Sequence, residues 1–498
     1  MRIELDAGRS LDGEPTEGLA VVERERTVVG EPTNERRSRS AQHVDDTASF
    51  FLDVERDRSL RNTIAAVFLL ERSPDPDVVR DRFERASRLV PGWRHRLVKP
   101  PLRLANPRWV VDRDFDLNYH VRRIGAPKEK TLASVLRYAS AEVLSGFDRD
   151  RPLWTVTIVD GLEDDRAALV IKVHHALTDG VGAVATLPLV VDLSPVPADP
   201  GPLPPVPSDE AMAPWALAVD AIATNGERFF GLARDAGTAA LRGVPGVVHR
   251  PREAADAATR NLQAIGHLLR APGNPLSPIM TERRGWSHFA ALDADLGALR
   301  RAAKPRGATV NDAFITAIGY GFARYHERLG TPVEELQVTM AVSVRKPGDP
   351  LQGNRAMGGH FVQPVGTTDP AGDMQAVHAL TTKLRDDVGQ PLTSAAAPLM
   401  NAIGPLVSGY VGPIMKNCDL ALTNVAGVEE PIWLGGAEVL ATYGFGPSMG
   451  TATNATLLSY RSTAHVGLHM DTAAVSDVDL LVGGVREGLD VVVALGNE

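Results

Sequence analysis

Two adjacent histidines, His174 and His175, close an apolar run, and Asp179 and Gly180 follow shortly after (ALVIKVHHALTDGVG, Ala168–Gly182). Imidazole is the ordinary side chain for moving a proton near pH 7. A histidine at a strand end, held by an aspartate, is a plausible general base. Strand side chains alternate between faces, so Leu169, Ile171, Val173 and His175 share one face and Val170, Lys172 and His174 the other. The two rings therefore cannot both face one site unless the strand ends between them. Gly180 and Gly182 suit a tight turn with close backbone approach. A buried structural pair of histidines is the plainer alternative. Metal ligation is a poor fit, because neighbouring strand residues diverge, no HExxH is present and no third ligand is spaced nearby.

A second match, Gly446-Pro447-Ser448-Met449-Gly450, has the G-x-S-x-G form of a serine-hydrolase elbow. That elbow needs a strand, a sharp turn and a helix. Thr451–Tyr460 reads as strand instead. No acidic residue lies between Ser448 and His465 or His469, and no histidine follows His469, so the order serine, acid, histidine cannot be built. Phosphate-cradling glycine motifs are absent.

The elements that must position the histidines follow from periodicity. Asn62–Leu70 reads as a strand and Asp77–Val90 as a helix. Trp93–Val98 and Pro107–Val111 read as short strands, and Leu132–Leu144 as a helix. Arg151–Leu162 is a strand that forms a hairpin with the histidine strand. In the second half, Leu292–Ala303 reads as a short helix. Ala308–Tyr325 reads as a strong one, capped by Thr309 with Asp312 in its first turn. Leu336–Val344 and Gly358–Val365 read as strands, Met374–Leu384 and Ser394–Ser408 as helices, and Asp419–Leu495 as mostly β. Alternating strands and helices make the class α/β with mixed sheets.

A chain of 498 residues is too long for one ordinary core, so two domains of about 200 residues are expected. Residues 1–42 are dense in Glu and Arg and read as a disordered extension. Residues 43–192 form the first unit and 281–498 the second. Between them lie Pro-rich Asp192–Pro207 and helical sequence to about Arg270, with an apolar stripe at Trp215, Val219, Ile222, Phe229 and Ala233. Such a stripe packs on a protein core or docks on lipid. The net charge of −9 argues against a nucleic-acid partner. A single cysteine, Cys418, excludes a disulfide framework. No apolar run is long enough to span a membrane, and the first residues are not a secretory signal. A cytoplasmic location is expected, with peripheral contact to the inner membrane face or to lipid droplets.

With these residues in view, HHALTDG resembles the active-site motif of the bacterial wax ester synthase/diacylglycerol acyltransferase family, within the chloramphenicol-acetyltransferase-like acyltransferases. Asp114–Arg122 (DFDLNYHVR) resembles that family's FDL-x-x-HVR segment, Pro152-Leu153-Trp154 its PLW motif, and Asn311-Asp312 its ND motif. Ala341–Arg345 with Gly353-Asn354-Arg355 resembles its strand and GNR turn. Leu422–Gly427 (LTNVAG) resembles LTNVPG, with Ala426 in place of the proline, and Leu458-Ser459-Tyr460 falls where the family has a similar strand. His43–Glu55 matches the family opening only loosely. The likeness spans roughly residues 45–495.

The resemblance implies two acyltransferase-like subdomains with a tunnel between them. It implies acyl transfer from a long-chain acyl-CoA, a co-substrate rather than a cofactor, to diacylglycerol or a long-chain alcohol. His175 would be the base, His174 its support and Asp179 an orienting group paired with Arg345. Gly180, Asn311, Asp312 and Asn424 are the supporting or oxyanion candidates, and Pro152, Leu153 and Trp154 the tunnel wall. No metal is expected, and the protein would be a monomer or homodimer. The alternatives are another acceptor (polyketide, sterol or sugar), condensation of carrier-bound substrates, or a lipid-binding relic without turnover.

Overall fold

The computed structural model describes residues 44, 46–99, 107–208, 275–343, 356–389 and 416–497. The N-terminal extension, the stripe from Trp215 to Ala233, the helix expected at Ser394–Ser408, Arg345 and the Gly353-Asn354-Arg355 turn lie outside them.

Two six-stranded mixed sheets organise the chain. In the first, β1 (Thr63–Leu70) lies between two antiparallel neighbours, β6 (Ala167–His174) and β12 (Ala437–Phe445). Next to β6 come β5 (Trp154–Asp160) and then β4 (Val121–Gly125), the latter parallel to β5. A short strand β11 (Trp433–Leu434) edges β12. The β5–β6 hairpin is the one that the alternation of residues implies. The second sheet has the order β7 (Ser287–Asp295), β14 (Thr463–Asp471), β13 (Thr453–Tyr460), β10 (Leu420–Val428), β8 (Glu335–Ser343), β9 (Ala356–Pro364). A separate two-stranded ribbon joins β2 (His95–Val98) to β3 (Arg108–Val111). The sheets do not divide at the Pro-rich connection, because β11 and β12 come from the second half of the chain and complete the first sheet.

Helices pack on the sheets and between them. Helix α1 (Asp46–Val54) precedes β1, and α2 (Pro76–Leu89) is opened by Asp75, whose carboxylate accepts from Asp77 and Val78. A short α3 (Leu117–His120) leads into β4, and α4 (Leu132–Leu144) follows it. Helix α5 (Gly180–Thr186) follows the histidines. In the second half, α6 (Leu296–Ala303) starts later than apolar spacing implies. Leu292 belongs to β7, paired with Val466 of β14, and Asp295 caps the helix by accepting from Ala298 at 2.8 Å. Helix α7 (Val310–Arg328) opens with the capping box of Thr309 and Asp312. Helix α8 (Pro370–Gly389) covers β9.

The expectation of mostly β to residue 495 is corrected at its end. Val478–Leu495 is a helix, α9, packed along α7. Its valines and glycines weaken its own helical signal, but the small residues let the two backbones approach. A Cβ on Gly484 would stand 2.6 Å from the Gly321 carbonyl oxygen of α7. Tertiary packing decides this element, not propensity.

The Pro-rich stretch is extended, as its composition implies, and it is tied down. Arg82 on α2 pairs with Asp192 at 2.6 Å, both side chains 8% exposed, and also reaches the Ala198 carbonyl. Arg85 bonds to the Gly201 carbonyl, and Arg88 to that of Pro204 at 2.8 Å. These arginines recur along one side of α2, so the strap crosses that helix as a fixed element.

Candidate active site

Strand β6 ends at His174, and the chain then turns through His175–Leu177. The turn is closed by Leu177 N–H donating to the His174 carbonyl at 2.9 Å. The two rings nevertheless point to opposite sides, as strand alternation demands.

His174 faces away from the space between the sheets. Its Nε2 lies 2.9 Å from Glu55 Oε1, with the side chains 2% and 9% exposed. Its Nδ1 accepts the Ala176 N–H at 3.0 Å. The same Glu55 oxygen takes the Asn62 N–H at 2.8 Å, and Oε2 takes Arg149 at 2.9 Å. Burial alone would raise the Glu55 pKa, but His174, Asn62 and Arg149 outweigh it and hold the carboxyl below its ordinary range.

His175 faces the other way, into an apolar cavity of about 200 Å³ between the two sheets. Ile64, Phe68, Ile171 and Val173 of the first sheet line it, facing Ala341 and Val425 of the second. Its deep wall includes Phe83, Trp93 and Trp154. The His175 N–H donates to the Asn62 carbonyl at 2.8 Å. Ring atom Nδ1 is buried with no hydrogen-bond partner among the described residues. Burial depresses the His175 pKa, and the favourable influence of its own carbonyl, Asp179 and the Thr178 carbonyl does not offset it. The ring is therefore neutral at pH 7, the state a proton acceptor needs.

Asp179 is buried beside the cavity and caps α5. Its Oδ1 accepts the Gly182 N–H at 2.7 Å. Gly180 lines the cavity at the start of that helix, against Val425 of β10. Asn424 also lines it, and its Oδ1 is buried without a partner among the described residues. His175, Asp179, Gly180, Asn424 and Trp154 are thus brought together.

Other expected members stand elsewhere. Asn311 is not among the lining residues, and its Nδ2 rests 3.6 Å from Met340 Sδ. Asp312 is fully buried as a brace between two helices. It accepts from Thr309 N–H at 2.9 Å and Thr381 Oγ1 at 2.6 Å, and meets His378 Nδ1 at 2.7 Å. Asp312 does not line the cavity, and its carboxylate oxygens are taken by these partners. Pro152 and Leu153 do not line the cavity either. Leu153 packs in the core, and its carbonyl accepts the His174 N–H at 3.0 Å. Ser448 lies between β12 and β13, with Oγ 3.4 Å from the Ser59 carbonyl, so strand–turn–strand replaces the elbow.

Trp154 is held from behind by the segment that begins at Asp114. His120 Nδ1 donates to the Trp154 carbonyl at 2.7 Å, and the two rings stack with centroids 4.5 Å apart. Trp154 Nε1 donates to the Trp93 carbonyl at 2.8 Å. Across the cavity, His469 Nδ1 donates to the Gly446 carbonyl at 2.8 Å and steadies the loop before Ser448. Reading residue types along the chain missed Glu55, Asn62 and His120 as supports. Glu55 lies 119 positions from His174, and no local spacing in the sequence points to it.

Comparisons with known proteins give the family and the fold. The profile of the wax ester synthase/diacylglycerol acyltransferase catalytic domain matches residues 46–314, and that of the WS/DGAT C-terminal domain matches residues 352–492. A Mycobacterium tuberculosis (strain H37Rv) protein named as a candidate diacylglycerol O-acyltransferase is 34% identical over 438 residues, covering 87% of this chain and 88% of that protein. A second such candidate from the same organism, tgs1, is 25% identical over 471 residues, covering 90% and 95%. Among solved structures, the wax ester synthase/diacylglycerol acyltransferase of Marinobacter aquaeolei VT8 superimposes with a TM-score of 0.60 at 20% identity, over 92% of this chain and all of that one. The first condensation domain of the calcium-dependent antibiotic synthetase gives 0.60 at 14% identity, over 92% and 97%. At these identities the two structures speak for the fold.

Proposed function

Because the chain belongs to the wax ester synthase/diacylglycerol acyltransferase family, we propose that this acyltransferase moves a long-chain acyl group from acyl-CoA to diacylglycerol, a long-chain alcohol, or both. The observation that carries the reading is His175: of the adjacent pair, its ring alone enters the apolar cavity between the sheets, and burial keeps it neutral.

In this mechanism His175 takes the proton of the acceptor hydroxyl as the oxygen attacks the thioester carbonyl. The tetrahedral intermediate then expels the CoA thiolate, which regains that proton from the imidazolium. No acyl-enzyme is needed. Such general-base help is worth roughly a hundred- to ten-thousand-fold. Asn424 is the favoured oxyanion donor, because it lines the same cavity and its side-chain NH2 can donate, whereas Asn311 does not line it and turns its Nδ2 to Met340. Asp179 shapes the turn after the base. The apolar walls suit hydrocarbon chains from both substrates. None of the described helices is long and apolar enough to cross a membrane. The site lies between the two sheets, the first of which takes β11 and β12 from the second half of the chain.

Purified protein given palmitoyl-CoA with dioleoylglycerol or hexadecanol should release free CoA and form the matching ester. No release with either acceptor, or undiminished release by His175→Ala, would overturn the proposal.

A further inference from the structure

We propose that Glu55 is a positioning residue for the reaction: one carboxylate, acting through His174 and Asn62, sets the direction in which His175 enters the cavity. The inference rests on the reading of His175 as the base.

Two arms run from the same oxygen. In the first, Glu55 Oε1 accepts the Asn62 N–H at 2.8 Å, and the carbonyl of Asn62 accepts the His175 N–H at 2.8 Å. In the second, Oε1 meets His174 Nε2 at 2.9 Å, and His174 Nδ1 accepts the Ala176 N–H at 3.0 Å. A ring nitrogen that accepts an amide proton cannot carry one itself, so the neutral ring bears its proton on Nε2 and donates it to Glu55. The backbone amides on both sides of the His175 Cα are thus anchored to one carboxylate, each through a single intermediary. Arg149 occupies the other oxygen at 2.9 Å and leaves Oε1 to these arms. Phe147 packs edge-on against His174, with centroids 5.9 Å apart, and limits its other orientations. The first histidine of the pair is a bracket, and the carboxylate behind it is the fixed point.

A base misplaced by about 1 Å costs up to about a hundredfold in rate. In folded Glu55→Ala, kcat should fall about tenfold to a hundredfold, while the KM for acyl-CoA stays within about twofold, since only the placement of the base changes. Nitrogen NMR of histidine-labelled protein should show His174 as the Nε2–H tautomer in the wild type and lose that signature in E55A. Glu55→Gln keeps an acceptor oxygen in place and should restore both the tautomer and most of the rate. A folded E55A with wild-type kcat, or one that keeps the His174 tautomer, overturns the inference. If E55A does not fold, folded E55Q decides alone: a lost tautomer or an E55A-like drop in kcat overturns the inference, and retention of both upholds it. A wild-type protein that acylates no acceptor would remove the proposed function, yet the tautomer comparison, which needs no turnover, would still decide whether Glu55 fixes the pair.

Discussion

A Cβ placed on Gly180 would stand 2.7 Å from Cγ2 of Val425. Gly180 begins the helix after the histidines, and Val425 lies on the central part of the second sheet, so this contact sets how closely the two sheets meet around the base. The valine is stiff at χ1 and cannot swing aside freely. Gly180→Ala should therefore lower kcat/KM by about tenfold and cost about 1–3 kcal/mol in stability. Val425→Ala opens the space and should recover part of both losses. A double-mutant cycle measures that coupling, and strictly additive effects would contradict it.

The two histidines should behave differently. His175→Ala should cut CoA release by about a hundred- to ten-thousand-fold with little change in melting temperature. His174→Ala should lose less rate but about 2 kcal/mol of stability, because Glu55 is left buried with one partner fewer. Steady-state kinetics alongside urea unfolding of both variants separates the roles.

Acid should inactivate the enzyme late. As the proposed base, His175 would work only when neutral, and burial pushes its pKa below the ordinary 6.5. The acid limb of the kcat/KM profile should therefore have its midpoint below pH 6.5. A midpoint above that value would mean that the ring is stabilised in its charged form.

Stability has its own pH dependence through His120. Desolvation lowers its pKa from 6.5 to about 4. The unfolded chain takes up this proton near pH 6.5 and the folded one does not until about pH 4. Stability is therefore complete above pH 6.5 and falls as the pH drops from 6.5 to 4, by about 3 kcal/mol for this ring. His120→Phe keeps the stack on Trp154 but removes the titration. Its unfolding free energy should be shifted by a constant and should fall less steeply over that range.

Asp312 should prove structural. Asp312→Ala strips Thr309, Thr381 and His378 of a shared acceptor and should cost about 2 kcal/mol in urea unfolding. The specific activity of the folded variant should remain that of the wild type.

What could be read from the sequence follows from the range of the interactions. The cap at Thr309, the hairpin ending in the histidines and the opposite facing of His174 and His175 depend on near neighbours, and local spacing reveals them. The Glu55 partnership with His174 spans 119 positions, and no periodicity carries it. Asn311-Asp312 has the composition of a reactive pair, yet only the fold shows that Asp312 spends its oxygens on a helix start and on α8. The last helix was hidden for another reason. Its valines and glycines are chosen for contact with α7, so their local preference points away from the state they adopt.

The strand exchange between the halves bears on how the protein is made. Strand β1 needs residues 437–445 along one of its edges. During synthesis that edge stays unpaired until residue 445 has left the ribosome. The histidine-bearing sheet is thus completed long after the histidines themselves are made, and a nascent chain cut short before β12 exposes a sticky strand edge beside them.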